Sequence, residues 1–304
     1  MSKTNKSIFF LGKGGVGKST ASALIALALA QNNHRVLLIS MDPAHNQSDI
    51  FETKLAEKSV EVRRNLSIKE VDLDYWVKRY LSDVEKQMYK AYGYLTAYNL
   101  EKYFSTIKYS PGIEEYALLL AFDSIIKNEE GFDFFLFDMP PTALTLKFFA
   151  LPGLSLIWLR RLLELRKELI LKKELVTRIK FGKKEFEKDR VINKLNILIA
   201  RYQKTKEHFE NKKASKINLV LNPDRLSLAE SALIQNKLKE IKVEINSIFI
   251  NRYDHTVNVK SISKHFKNDH VTILPTADYP LIGIKALEQF LNQYLNSKKL
   301  LKNI

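Results

Sequence analysis

SIFFLGKGGVGKS, residues 7–19, begins as a short apolar run, turns through closely spaced glycines and ends on Lys18 and Ser19. The residues that follow, STASALIALALAQNN (19–33), are alanine-rich with helical periodicity, so the segment reads as strand, loop, helix. In that setting GKGGVGKS at 12–19 satisfies G-x-x-x-x-G-K-[ST], a phosphate-binding loop that needs a strand before it and a helix after it. Across Gly14, Gly15, Val16 and Gly17 the loop lets successive backbone N–H groups turn toward a β-phosphate. The helix that starts with Lys18, Ser19 and Thr20 adds its positive end. Lys18 is expected to neutralise charge on the β- and γ-phosphates of ATP, and the Ser19 hydroxyl to ligate Mg²⁺. A glycine turn without a ligand is the competing reading, and the agreement of motif with context weighs against it.

Five further apolar runs have strand character. HRVLLISMDPAH holds one at Val36–Ser40 that ends in a polar loop at 41–46, and GFDFFLFDMPPT holds one at 134–137. The latter is closed by Asp138 and a Pro-Pro pair that continues neither a strand nor a helix. INLVLN (217–222), INSIFIN (245–251) and VTILP (271–275) complete the set, with helical stretches between them. The alternation predicts an α/β fold, a doubly wound and mostly parallel sheet. Two regions do not fit a sheet: about 67–128, rich in tyrosine (Tyr80, Tyr89, Tyr92, Tyr98) at helical spacing, and about 153–214, a run of basic amphipathic helices. Both lie directly after loops that should surround a nucleotide. The expected organisation is one P-loop domain over 1–304 with these two helical insertions.

In an open parallel sheet, ligands bind beyond the carboxyl ends of the strands. Asp42 stands there after the second strand and is a candidate to orient or deprotonate water; the alternative is a loop cap. Asp138 ends the third strand, where a carboxylate can hold Mg²⁺ through water.

With 45% hydrophobic and 27% charged residues, the composition is globular. The absence of cysteine excludes disulfides, thiolate nucleophiles and Cys-based zinc sites. His255, His265 and His270 match no zinc spacing, and surface histidines are the expected reading. The apolar run at the N-terminus is too short for a secretory signal. The long stretch 132–159 is broken by Asp133, Asp138, Lys147 and three prolines, which makes it a poor membrane span. A cytoplasmic protein is expected.

The net charge is +15, and residues 151–216 hold 19 Lys/Arg against 8 Asp/Glu. Such a segment suits an acidic partner, a nucleic acid, an anionic membrane or simply a solvated helical face. Nucleic acid is not the expected partner. Within the segment, Leu156, Leu159, Leu163 and Ile170 can share an apolar stripe, read either as core packing or as a client surface. The tail LEQFLNQYLNSKKLLKNI is weakly amphipathic and would allow peripheral contact with anionic lipid.

Taken together, GKGGVGKS, DPAHNQSDIF, PGIEEYALL, FDMPPTALTLKFFALP, LSLAESALIQ and IFINRY resemble the ArsA family in order and spacing, from residue 7 to about 292. That family includes the arsenite-pump ATPase subunit and the GET-pathway ATPase that targets tail-anchored membrane proteins. The resemblance implies ATP hydrolysis by a homodimer, closed with ATP and open without it. Lys13, the extra lysine of a deviant Walker A loop, is implied to act across the dimer on the partner's nucleotide. By the same likeness Asp42 is the hydrolytic residue, Asn46 lies at the dimer interface and Asn251 contacts adenine. Residues 138–142 become a switch that couples phosphate state to the helices after Pro152.

The chain also departs from the family. Its switch reads PPTALT with Leu144 where a histidine is usual, and HTVNVKS replaces the Cys-x-x-Cys clasp of targeting members. The implied role is a nucleotide-gated targeting factor or chaperone for a hydrophobic helix or a membrane-protein partner. A MinD/ParA-like positioning ATPase and an anion-transporter subunit are the alternatives, and the missing cysteines count against arsenite.

Overall fold

The computed structural model describes residues 6–44, 46–91, 110, 112–177, 189–253, 258–266 and 270–295. Its strands are β1 (Lys6–Leu11), β2 (Val36–Ser40), β3 (Val60–Arg63), β4 (Leu66–Glu70), β5 (Phe134–Asp138), β6 (Ser215–Leu221), β7 (Ser247–Tyr253) and β8 (Val271–Pro275). They form one sheet in the order β3-β4-β2-β5-β1-β6-β7-β8, parallel at every pairing except β3 with β4 at the edge. The α/β, mostly parallel architecture is the one expected. The carboxyl ends of β1, β2, β5, β7 and β8 therefore share one rim, where an open parallel sheet binds its ligands.

Alternation along each strand divides the core into two layers. Ile8 and Phe10 face α1 (Lys18–Gln31) and α9 (Gly283–Tyr294), and Phe9 and Leu11 face the opposite layer. Helix α1 is buried around nearly its whole circumference, which explains its alanines: small side chains let it sit close to the sheet and fix the loop before it. Across the sheet, Phe9, Phe122, Phe137, Phe148, Phe149 and Phe209 make a continuous aromatic cluster. Phe9 stacks on Phe137 at 4.9 Å and meets Phe149 edge-on at 5.2 Å. The cluster pins α4 (Ile113–Asn128), α5 (Thr142–Thr177) and α6 (Arg190–Glu210) to the sheet, each pair contributing about 0.5–1.5 kcal/mol beyond area burial. Helices α2 (Asn46–Ile50), α3 (Leu73–Ala91), α7 (Arg225–Glu240) and α8 (Val259–Phe266) complete the described elements.

Two features differ from the sequence reading, and a third decides between its alternatives. LSIKE, at the start of the first expected insertion, is strand β4, held parallel to β2 with Leu66 and Ile68 fully buried. Five residues are too short a stretch to register against the helical spacing after them. Second, α5 is one helix that runs through Pro152 from the end of the Pro-Pro pair, where the helices were expected to follow Pro152. Third, the stripe chosen on α5 is its inner face: Leu156 is buried and Leu159, Leu163 and Ile170 are partly buried. Apart from Leu171, the exposed apolar residues of α5 are Leu154, Ile157, Trp158, Leu162, Leu165 and Leu169, a stripe at i, i+3 and i+4 spacing on the other side. By length and composition, Thr142–Lys173 is apolar enough to cross a membrane, with 39% of its most apolar window buried. Helices α5 and α6 instead pack along each other.

Tyr80 stacks on Tyr116 at 5.7 Å in the layer of α3 and α4. Tyr92, Tyr98, His255 and the tail 296–304 lie outside the described residues, as does the Tyr89 side chain. His265 and His270 are exposed, and no group of three metal-ligating side chains occurs among the described residues.

Candidate nucleotide site

At the rim, a cavity of about 730 Å³ is lined by Gly14, Gly15, Gly17, Lys18, Ser19 and Thr20 on one side and by Asp42 and Asn46 on another. Asn251, Arg252 and the segment after β8 close it. Local conformation accounts for the loop. Gly15 and Gly17 have φ of +77° and +91°, left-handed values that glycine adopts without strain, and Gly17 caps α1. A Cβ on Gly14 or Gly15 would meet nothing within 4 Å, so backbone N–H groups there are open to a phosphate. A Cβ on Gly17 would come within 2.2 Å of Asn251 Nδ2.

Asn251 donates from that nitrogen to the Val16 carbonyl at 2.8 Å, which ties β7 to the loop. Its position follows from an irregularity in the β7–β8 ladder between Ile250 and Tyr253, with Arg252 at φ +51°. Bulges of this kind re-aim a side chain beside a site.

Two carboxylates approach the loop. Asp42 is nearly buried; its Oδ1 accepts from Ala44 N at 3.1 Å, and its Oδ2 lies 4.0 Å from Lys18 Nζ. It is thus both a loop cap and a charge facing the lysine, so the two sequence readings are compatible. Asp138 is fully buried at the end of β5. Burial pushes its carboxyl up to about 6, against the opposing pull of the Ser19 hydroxyl, the Gln47 amide and the Lys18 ammonium. Its Oδ2 accepts from Gln47 Nε2 at 2.9 Å, while Oδ1 has no partner within hydrogen-bond geometry. A buried carboxylate oxygen left free next to a serine hydroxyl at a phosphate loop is a donor set that fits Mg²⁺ or its bound waters.

Lys13 stands apart from this group. It does not line the cavity; its Nζ lies 3.9 Å from Glu230 Oε2 of α7, with both side chains about one-third exposed. Glu230 also accepts from the Thr142 hydroxyl at 3.1 Å, and the same hydroxyl is 3.4 Å from the Gly12 carbonyl. The first residue of α5 thereby touches the loop. Leu144 packs partly buried against the aromatic layer. The sequence reading missed Gln47, Glu230 and Glu70, which accepts from the Ser48 N–H and hydroxyl at 3.0 and 2.9 Å and so holds α2. Gln47 and Glu230 fall within quoted motifs, but nothing in one sequence marks a glutamine as buried.

The family model described as anion-transporting ATPase matches residues 5–257. Among similar proteins, one from Aquifex aeolicus named for an arsenical pump-driving ATPase is 30% identical over 298 residues, covering 93% of this chain and 96% of that protein. An ATPase ASNA1 homologue of Entamoeba dispar is 33% identical, covering 83% and 77%. ATPase GET3 of Lachancea thermotolerans is 29% identical, covering 98% and 91%.

Proposed function

Because this chain belongs to the anion-transporting ATPase (ArsA) family and is an ATPase, we propose that it works in the cytoplasm as a nucleotide-gated homodimer that shields a hydrophobic helix of a client protein. One observation carries the reading. Helix α5 starts at Thr142, in contact with Glu230 and the loop, and continues unbroken into the exposed stripe of Leu154, Ile157, Trp158, Leu162, Leu165 and Leu169. A rearrangement at residues 138–142 would therefore reach an apolar surface along one rigid element. Scattered exposed apolar residues are ordinary, whereas a stripe about four turns long on one helix marks an interaction site. The resemblance to proteins named GET3 and ASNA1 supports a client of this chemistry.

In this reading the loop amides from Gly14 to Thr20 bind the phosphates and Lys18 balances their charge. Ser19 and Asp138 hold Mg²⁺, which when bound draws charge from the β- and γ-phosphates. Asp42 orients the attacking water and takes up its proton. Asn251 borders the base, Asn46 lies at the subunit interface, and Lys13 crosses to the partner's nucleotide, where charge develops on the transferring phosphate.

The test uses the Asp42→Asn protein, which should bind ATP but hydrolyse it slowly, and a soluble carrier ending in a helix of about 20 leucines and alanines. Co-elution with ATP and Mg²⁺ but not with ADP is expected. If protein shown to hold ATP fails to retain the carrier, the client reading is refuted.

A further inference from the structure

Gln47, the second residue of α2, is fully buried, and its amide nitrogen faces three acceptors. These are Asp138 Oδ2 at 2.9 Å, Ser22 Oγ at 3.0 Å and the Ser19 carbonyl at 3.1 Å. The Ser19 carbonyl and an ionised Asp138 only accept, so the nitrogen of the amide, not its oxygen, must face them. Two primary-amide protons serve three acceptors, which requires one shared bond. Beside these bonds, two buried acceptors, Gln47 Oε1 and Asp138 Oδ1, have no donor. Buried polar atoms rarely go without partners, and each exception calls for a reason. The waters of a hydrated divalent cation are strong donors and would supply one here.

We propose that Gln47 is a positioning residue for the metal-holding carboxylate. By engaging Oδ2 it commits one oxygen of Asp138, leaves Oδ1 for the metal or its waters, and ties the segment after β2 directly to the end of β5. Ser48 anchors the opposite side of α2 on Glu70, so the short helix is held from both flanks and the Gln47 amide has little freedom to wander. A glutamine serving only to fill the core is a poor explanation, since a leucine or methionine would do so without burying an unpaired carbonyl. The inference rests on the assignment of Ser19 and Asp138 to Mg²⁺, and its test separates the two.

Mn²⁺ is titrated calorimetrically into ADP-saturated protein for the wild type, Gln47→Met and Asp138→Asn. Methionine keeps the length of glutamine but cannot donate, and Gln47→Leu replaces it in the same titration if the methionine variant does not fold. The expected result is a Mn²⁺ affinity weakened about 10- to 100-fold in Gln47→Met, the scale of lost outer-shell partners. ADP affinity without metal should stay unchanged, which a merely structural tether would not predict. Wild-type Mn²⁺ affinity in Gln47→Met, alongside a loss in Asp138→Asn, overturns the role of Gln47. Wild-type affinity in both variants overturns the metal assignment of Asp138 and the inference with it.

Discussion

Asp138→Asn should make the nucleotide-free protein more stable at neutral pH while impairing it as an enzyme. The carboxyl is fully buried, and burial raises it from 3.8 to about 6. Below about pH 3 the group is protonated whether the chain is folded or not. As pH rises toward 6 the unfolded chain ionises first, so the folded state loses stability through this window and recovers none above it. The full shift corresponds to roughly 3 kcal/mol, about half of it already lost at pH 5. Asparagine keeps the shape, and its Oδ1 can still accept from Gln47, but no charge is buried. With a urea slope of about 3 kcal/mol/M, the variant's midpoint should exceed the wild type's by about 1 M at pH 7.5 and by about half that at pH 5. Mg²⁺ and ATP should then close the gap, since ligand at a hundredfold over its Kd adds about 2.7 kcal/mol to the form that binds it. Equal midpoints at pH 7.5, or a gap that does not shrink at pH 5, would refute the claim that the protein carries a costly buried charge for the sake of its ligand.

Lys18→Ala should abolish ATP binding in a titration, because Lys18 is the one buried cation among the described residues that line the cavity, whereas Arg252 is exposed. Gly17→Ala should weaken ATP binding and lower the melting temperature, since the new methyl would sit 2.2 Å from Asn251 Nδ2 at a φ of +91°. Lys13→Ala should bind ATP but turn it over roughly 10³-fold more slowly or worse. Mixing it with Asp42→Asn chains should restore activity at the one site per heterodimer that keeps its own Asp42 and receives Lys13 from the other chain. Trp158→Glu should change unfolding free energy by no more than about 0.5 kcal/mol, because the side chain is 71% exposed, yet should lose the carrier helix in the co-elution assay.

The sheet was legible where two signals coincided. Most of the six strands read from the sequence are apolar runs ended by a glycine, proline or acidic residue, and all six form within a few residues of their expected limits. The edge strand β3 and its neighbour β4 were not read, because VEVR is polar and half exposed and LSIKE carries Lys69 and Glu70. Those two are buried only through tertiary partners: Lys69 with Glu129 at 3.0 Å and Glu70 with Ser48. Helical periodicity identified α5 as amphipathic and left its Leu156 stripe as either core packing or a client surface; the structure makes it the core face. Leucines occupy both sides of the helix, and only α6 packed along one of them settles which side is core.

At the site, residues that act through fixed letters at fixed spacing could be named in advance: the loop, Asp42 and Asp138 gather around one cavity or directly behind it. Residues that act through three-dimensional placement could not, and Lys13 shows why the difference matters. The motif marks it as a special cation, yet in the single chain its nearest carboxylate is Glu230 and it faces away from its own nucleotide cavity. A cis-acting lysine would have to leave that contact and turn inward past Gly14. A trans-acting one is already presented on the outer side of the loop. The contact with Glu230 does not oppose that role. At 3.9 Å, with both ends about one-third exposed, it is an ion pair of the weak class, worth about 0–1 kcal/mol. A developing phosphate charge in a closed, dry interface attracts a cation several times more strongly, so in the proposed trans role Lys13 would leave Glu230 without a large energetic penalty.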